Sequence, residues 1–159
     1  MKIKCLLLLA TAALASAATP RDTLSATDNQ AIIRAVSAVY DEMVVAAESL
    51  DADALFRHVA EMDQGAVVTN GRLFLTRREA LETIRTSFLG IKSVTYDIAS
   101  RRCTVLSPAS VLLVAELTTH IATDDGRTFA RSSVQSIVFV FRDNNWKVLH
   151  SHQSNVRTS

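Results

Sequence analysis

The sequence has little of what marks the common catalytic and metal-binding motifs. Its 159 residues include 2 cysteines and 4 glycines. It contains no glycine-rich phosphate loop, no C-x-x-C pair, no H-E-x-x-H motif and no G-x-S-x-G motif. The chain therefore carries no strong catalytic signature, and any function has to be inferred from weaker patterns.

The first residues have the order of a signal peptide. Lys2 and Lys4 precede an apolar stretch from Cys5 to Leu14, and the small residues Ala15-Ser16-Ala17 follow. The apolar run is shorter than the ~20 residues that a bilayer-spanning helix needs. We therefore expect residues 1–17 to be cleaved, and the protein to be exported to the periplasm or outside the cell with no stable membrane anchor.

Cysteine and charge content limit what the mature chain can be. Cys5 lies in the predicted signal peptide, so Cys103 is the only cysteine expected in the mature chain and no intrachain disulfide can form. Cleavage also removes Lys2 and Lys4, which leaves 15 basic residues against 16 acidic ones. A nucleic-acid binder would show a concentrated basic face, so we expect no nucleic-acid partner.

Helical periodicity dominates the first half of the mature chain. Residues 18–27 look like a short tether, and a domain is expected over 28–156. An apolar stripe at three- and four-residue steps predicts a long helix that begins at Asp28 and ends near Leu50. Two further helices are expected, one capped by Asp51 and one opened by the capping box Thr76-Arg77-Arg78-Glu79. Between them, Ala66 to Thr69 is predicted to be a brief strand that leads into an Asn70-Gly71 turn.

After Gly90 the apolar period changes to two and remains there. Four long strands are predicted, joined by short turns typical of antiparallel hairpins. They cover Ser93 to Leu106, Val111 to Thr123, Thr128 to Arg142 and Trp146 to Ser154. Helices followed by a strongly bent antiparallel sheet define an α+β domain with the helices on one face of the sheet.

The last strand contains the most conspicuous polar pattern. Period two places Trp146, Val148, His150 and His152 on one face. Two imidazoles on such a face could contact a ligand, or they could be ordinary hydrogen-bonded histidines at the end of a sheet. Zinc normally requires at least three protein ligands, and the third would have to be His120, so we expect no metal.

Three other residues are candidates for a polar site. Arg131 and Gln135 share a strand face with apolar residues further along, which fits either a small-molecule cavity or a strand whose end leaves the core. Glu116 lies on the mostly polar face of its own strand, which could face solvent or a cavity. Tyr40 lies on the buried stripe of the first helix, where its hydroxyl needs a partner.

Four segments together resemble the SnoaL-like branch of the nuclear-transport-factor-2-like superfamily. They are the end of the long helix at Leu50-Asp51, the segment Gly65 to Gly71, the helix start Thr76 to Ala80, and the ending W-x-V-x-H-x-H-x-S over Trp146 to Ser154. The resemblance implies a cone-shaped half-barrel, in which a curved antiparallel sheet wraps around three N-terminal helices and leaves a pocket. It also implies a homodimer formed through the outer face of the sheet.

The resemblance leaves the activity open, because this superfamily includes both enzymes and binding modules. In ketosteroid-isomerase-like members a carboxylate base follows the first strand, and here Asn70 stands at that place, which disfavours that mechanism. We expect a pocket protein without a cofactor that binds a small, partly apolar ligand. The expected ligand-binding residues are Tyr40, Asn70, Arg131, Gln135, His150 and His152. The rival is a lyase, isomerase or hydrolase in which His150 or His152 acts as general base with help from Glu116, and a structural dimerisation module is the third possibility.

Overall fold

The computed structural model describes residues 25–61 and 65–155. The predicted signal peptide and all of the tether before Ser25 lie outside the described residues. Two helices come first, α1 (Ala26–Glu48) and α2 (Ala52–Phe56), followed by β1 (Ala66–Thr69), β2 (Arg72–Phe74) and α3 (Arg77–Phe88). Four long strands complete the domain: β3 (Ile91–Ser107), β4 (Ser110–Thr123), β5 (Thr128–Arg142) and β6 (Asn145–Asn155).

Side-chain caps fix where the helices start. The Asp51 side chain accepts a hydrogen bond from the Ala54 N–H at 2.8 Å, and the Thr76 hydroxyl accepts one from the Glu79 N–H at 3.2 Å, as the sequence predicts. The first helix differs, because Ser25 is its cap and accepts from the Asp28 N–H at 3.1 Å. The prediction that Asp28 caps α1 is therefore wrong. Its carboxylate lies in the first turn, where the helix dipole favours negative charge.

The strands form one curved, unclosed sheet in the order β2-β1-β6-β5-β4-β3. The hairpins from β3 to β6 are antiparallel as predicted, whereas β1 lies parallel to β6, so the sheet is mixed. Asn70 and Gly71 both have positive φ, 51° and 73°, and turn the chain into β2, a strand that the sequence did not reveal. The α+β cone with N-terminal helices is confirmed.

The core lies between the helices and the concave face of the sheet. Val36 of α1 and Phe56 of α2 pack there against Leu113 of β4 and Phe139 of β5, all of them almost fully buried. Leu113 and Phe139 lie on the alternate positions that period two assigns to the inner face. None of the helices in the described part of the chain is both long and apolar enough to cross a membrane.

A β-bulge in β6 determines which of its side chains face the helices. Val138 and Phe139 are neighbours in β5, but their partners in β6 are His150 and Val148. Leu149 lies between these two partners and is therefore an extra residue. After Leu149 the side chains that a strict alternation would point inward point outward, and the others point inward. Trp146 and Val148 are buried on the inner face, whereas His150 pairs with Val138 on the outer face. The prediction that Trp146, Val148, His150 and His152 share one face is therefore wrong.

Candidate functional site

A partly open hollow lies between the helices and the concave face of the sheet. Its volume is about 180 Å³. Most of its wall is apolar, with side chains from all three helices and from the inner face of the sheet. They include Met43, Leu55, Phe56, Ile84, Phe88 and Ile137. This composition is typical of a small-molecule pocket, in which a few polar groups are set among apolar walls.

A chain of hydrogen bonds supplies the polar part of the cavity. The Tyr40 hydroxyl donates to Gln135 Oε1 at 3.2 Å, and Gln135 Nε2 donates to Gln153 Oε1 at 3.4 Å. Gln153 Nε2 then donates to the Ser133 hydroxyl at 3.1 Å. The register explains the arrangement, because Gln135 and Gln153 are directly paired across β5 and β6 on the inner face.

The Tyr40 phenol is neutral in this setting. Burial raises the pKa of Tyr40 to about 12, although the nearby guanidinium of Arg101 opposes the rise. Arg101 lies over the Tyr40 ring at 5.4 Å and donates a hydrogen bond to Asp41 Oδ1 at 2.5 Å. Its charge is thus already paired, and Tyr40 is available as a hydrogen-bonding group rather than as a base at neutral pH.

Tyr96 is a second tyrosine that lines the cavity, and it was not among the ligand-binding residues predicted from the sequence. It lies on β3, where its backbone N–H donates to Glu48 Oε1 of α1 at 3.0 Å. Burial raises the pKa of the Tyr96 hydroxyl as well. The alternation with Val94, which is buried, could have placed Tyr96 on the inner face. Both tyrosines of the chain thus border the same hollow.

Gln153 and Ser151 were also missed. Both lie in β6 beyond the bulge and border the cavity. A strict period of two from Trp146 assigns them to the outer face, and the extra residue Leu149 reverses that assignment. Sequence alternation alone therefore selected His150 and His152 instead of Ser151 and Gln153 as the inward-facing residues of this strand.

The predicted ligand-binding residues are divided between two hollows. Tyr40 and Gln135 line the cavity, and His152 borders it. His152 also borders a more open hollow of about 670 Å³, together with Asn70 and Arg131. Asn70 Oδ1 accepts a hydrogen bond from Asn155 Nδ2 at 2.7 Å, which ties the β1–β2 turn to the end of β6. His150 and His152 both lie on the outer face of the sheet, where they pair with Val138 and Ser136.

The structure does not bring the proposed catalytic groups together. Glu116 is exposed on the outer face of β4, and β5 lies between it and the two histidines of β6. Within residues 25–61 and 65–155, no hydrogen bond joins Glu116 to either imidazole. His120 lies on β4 and is paired with Asp97 at 2.9 Å, and no three His, Cys, Asp or Glu side chains of these residues are grouped as metal ligands.

Several solved structures share this fold. A protein described as a dehydratase of the NTF2-like family from Streptomyces avermitilis is 16% identical, with a TM-score of 0.73 over 81% of this chain and 99% of that one. A protein described as a scytalone dehydratase from Novosphingobium aromaticivorans is 11% identical, with a TM-score of 0.76 over 84% of this chain and 89% of that one. The hexachlorocyclohexane dehydrochlorinase LinA-type3 from Novosphingobium barchaimii is 12% identical, with a TM-score of 0.71 over 85% and 93%.

At these identities the likeness establishes the fold and not the activity. No curated protein sequence matches the chain significantly. The model of the SnoaL-like domain family matches residues 36–158, which is most of the chain and nearly all of the described domain. The protein therefore belongs to the SnoaL-like domain family.

Proposed function

We propose that this protein binds a small, partly apolar ligand in the cavity between its helices and the concave face of its sheet. The observation that carries the proposal is the partly buried hydrogen-bond chain that starts at Tyr40 and ends at Ser133. Such a chain in an otherwise apolar wall would hold the polar group of a ligand in one orientation. A cavity of about 180 Å³ also speaks against a purely structural dimerisation module, which would fill this space with its own side chains.

The rival hypothesis is that the protein is a lyase, isomerase or hydrolase. The neighbours named as dehydratases and as a dehydrochlorinase make an elimination reaction the natural class. Among the described residues His152 is the one histidine at the edge of the cavity, so it would have to be the general base. Its ring, however, lies on the outer face of the sheet, where Nε2 is 3.4 Å from the Ser154 hydroxyl. Glu116, which was expected to assist the base, and His150, the alternative base, also lie on the outer face of the sheet. Binding without chemistry is therefore better supported.

Export and self-association belong to the same proposal. The leader 1–17 supports removal of a signal peptide and release into the periplasm or the medium. Val114 and Val134 are 36% and 42% exposed on the outer face of the sheet, where apolar side chains favour contact with a second copy. The mass of the secreted protein tests whether the signal peptide is removed, and native mass spectrometry tests whether the protein forms a dimer. A chain that keeps its leader, or a monomer at micromolar concentration, would contradict them.

Native mass spectrometry of protein purified from its own host tests the binding function. We expect a co-purifying small molecule that is lost in Ile84→Trp, because the indole would occupy the cavity. Thr118→Val is the matched control, since Thr118 lies on the outer face and bonds Ser132 at 3.2 Å. Ligand-free wild-type protein that also fails to take up any compound from a host extract would refute the proposed function.

A further inference from the structure

The volume of the cavity limits the size of its ligand. An engineered apolar cavity of about 150 Å³ is known to hold benzene. The present cavity, of about 180 Å³, is only slightly larger. The part of a ligand that lies inside has room for one ring with one or two small substituents and not for a fused polycyclic system. A ligand of this size would contact Phe56 and Ile137 while its polar group reaches Tyr40.

The lining also limits the charge of the ligand. Within residues 25–61 and 65–155 the lining contains no lysine, arginine, aspartate or glutamate, and its one histidine, His152, is exposed to solvent. Arg101 lies near Tyr40, but its guanidinium is bound to Asp41. A charged ligand would lose its hydration without gaining an opposite charge, and that loss is costly in an apolar site. The cavity therefore suits an uncharged molecule.

The polar groups define what that molecule must offer. The Tyr40 proton is directed to Gln135, so the Tyr40 oxygen presents its lone pairs and accepts. The Tyr96 hydroxyl donates to no side chain within the described residues and can donate to a ligand. A partner that satisfies both phenols has to donate to one and accept from the other, and a single hydroxyl group can do both. A ketone or an ether only accepts.

We propose that the cavity selects an uncharged hydroxyl compound of about one ring, a phenol or a cyclic alcohol. The Tyr40 oxygen accepts a hydrogen bond from the hydroxyl group of the ligand, and the Tyr96 hydroxyl donates one to the ligand oxygen. This inference rests on the proposed binding function and adds the chemical class of the ligand. It also assigns ligand-contacting roles to the two tyrosines.

Four probes of similar size test the inference by calorimetric titration of the purified protein. They are p-cresol, which donates and accepts, anisole, which only accepts, toluene, which does neither, and benzoate, which is charged. We expect p-cresol to bind at least about tenfold more tightly than anisole or toluene, and benzoate to bind more weakly than all three. If toluene or anisole equals p-cresol, or if benzoate binds best, the hydroxyl inference fails while binding in the cavity stands. If none of the four binds, the hydroxyl inference fails, and the host-extract experiment then decides whether the proposed function fails with it.

Variants then locate the contact. Tyr40→Phe keeps the ring and removes the acceptor, so p-cresol should bind about tenfold more weakly while toluene affinity stays within about twofold. Tyr96→Phe should show the same selective loss through the missing donor. Thr118→Val, on the outer face, should leave both affinities unchanged. Equal losses for p-cresol and toluene in Tyr40→Phe would mean that the residue acts through packing, and would overturn the assigned contact.

Discussion

Gly65 lies directly against the backbone of Leu149. A Cβ atom added to Gly65 would be 1.9 Å from the Leu149 carbonyl oxygen, far inside van der Waals contact. Leu149 is the bulged residue of β6, and Gly65 immediately precedes β1, whose Ala66 pairs with His150. A residue without a side chain therefore lets β1 enter the sheet alongside the bulge.

We expect Gly65→Ala to lower the free energy of unfolding by about 1–3 kcal/mol, because the added methyl group forces the two backbones apart. Chemical denaturation measures the change. Ser154→Ala, at an exposed position of β6, is the control and should change stability by less than about 0.5 kcal/mol. Equal stability of Gly65→Ala and wild type would show that the close approach does not constrain the fold.

Local sequence signals predicted the scaffold well. The segment from Thr128 to Arg142 is a strand with the predicted bounds, and Thr76 caps its helix as the capping box indicates. These features depend on contacts within a few residues, such as a cap or a strict alternation. The short strand β2 was missed because its three residues are too few to show any period.

The site was harder to predict because it depends on register between distant segments. Tyr40 and Gln135 were correctly expected on inward-facing positions, since no irregularity interrupts their helix and strand. The bulge at Leu149 is one extra residue, yet it turns His150 outward and Gln153 inward. No local property of the sequence marks that insertion, because it is stabilised by the pairing of β6 with β5 and by the approach of Gly65.

Gln153 is the central member of the partly buried hydrogen-bond chain. Gln153→Leu would leave Gln135 Nε2 without its acceptor and the buried Ser133 hydroxyl without its donor. We expect a loss of about 1–3 kcal/mol in the free energy of unfolding, since unsatisfied buried polar groups retain their desolvation cost. Ser154→Ala, at an exposed position, should change stability by less than about 0.5 kcal/mol. Similar denaturation midpoints for the two variants would argue against a cooperative chain.

Ionisation of Tyr40 should destabilise the fold at high pH. The unfolded phenol titrates near 10.0 and burial raises the pKa of folded Tyr40 to about 12. Its contribution to stability is complete below pH 10.0 and is lost as the pH rises towards 12, because the unfolded state releases its proton first. Tyr40→Phe should therefore show a shallower loss of stability in this window. Equal slopes for wild type and variant would contradict the raised pKa.

His58 gives the opposite dependence at acid pH. Its side chain is 17% exposed, and Nε2 lies 3.5 Å from Glu42 Oε2. Burial lowers the pKa of His58 below 6.5, and Lys147 and Arg57 act in the same direction against the raising effect of Glu42. The contribution to stability is therefore present above pH 6.5 and is lost as the pH falls through the folded pKa, because the unfolded state binds its proton first. NMR titration of the imidazole should give a pKa below 6.5, and lower still in Glu42→Gln, which removes the carboxylate that raises it. A pKa above the unfolded value would show that the carboxylate and not burial controls this histidine, and a pKa that rises in Glu42→Gln would contradict the raising effect of Glu42.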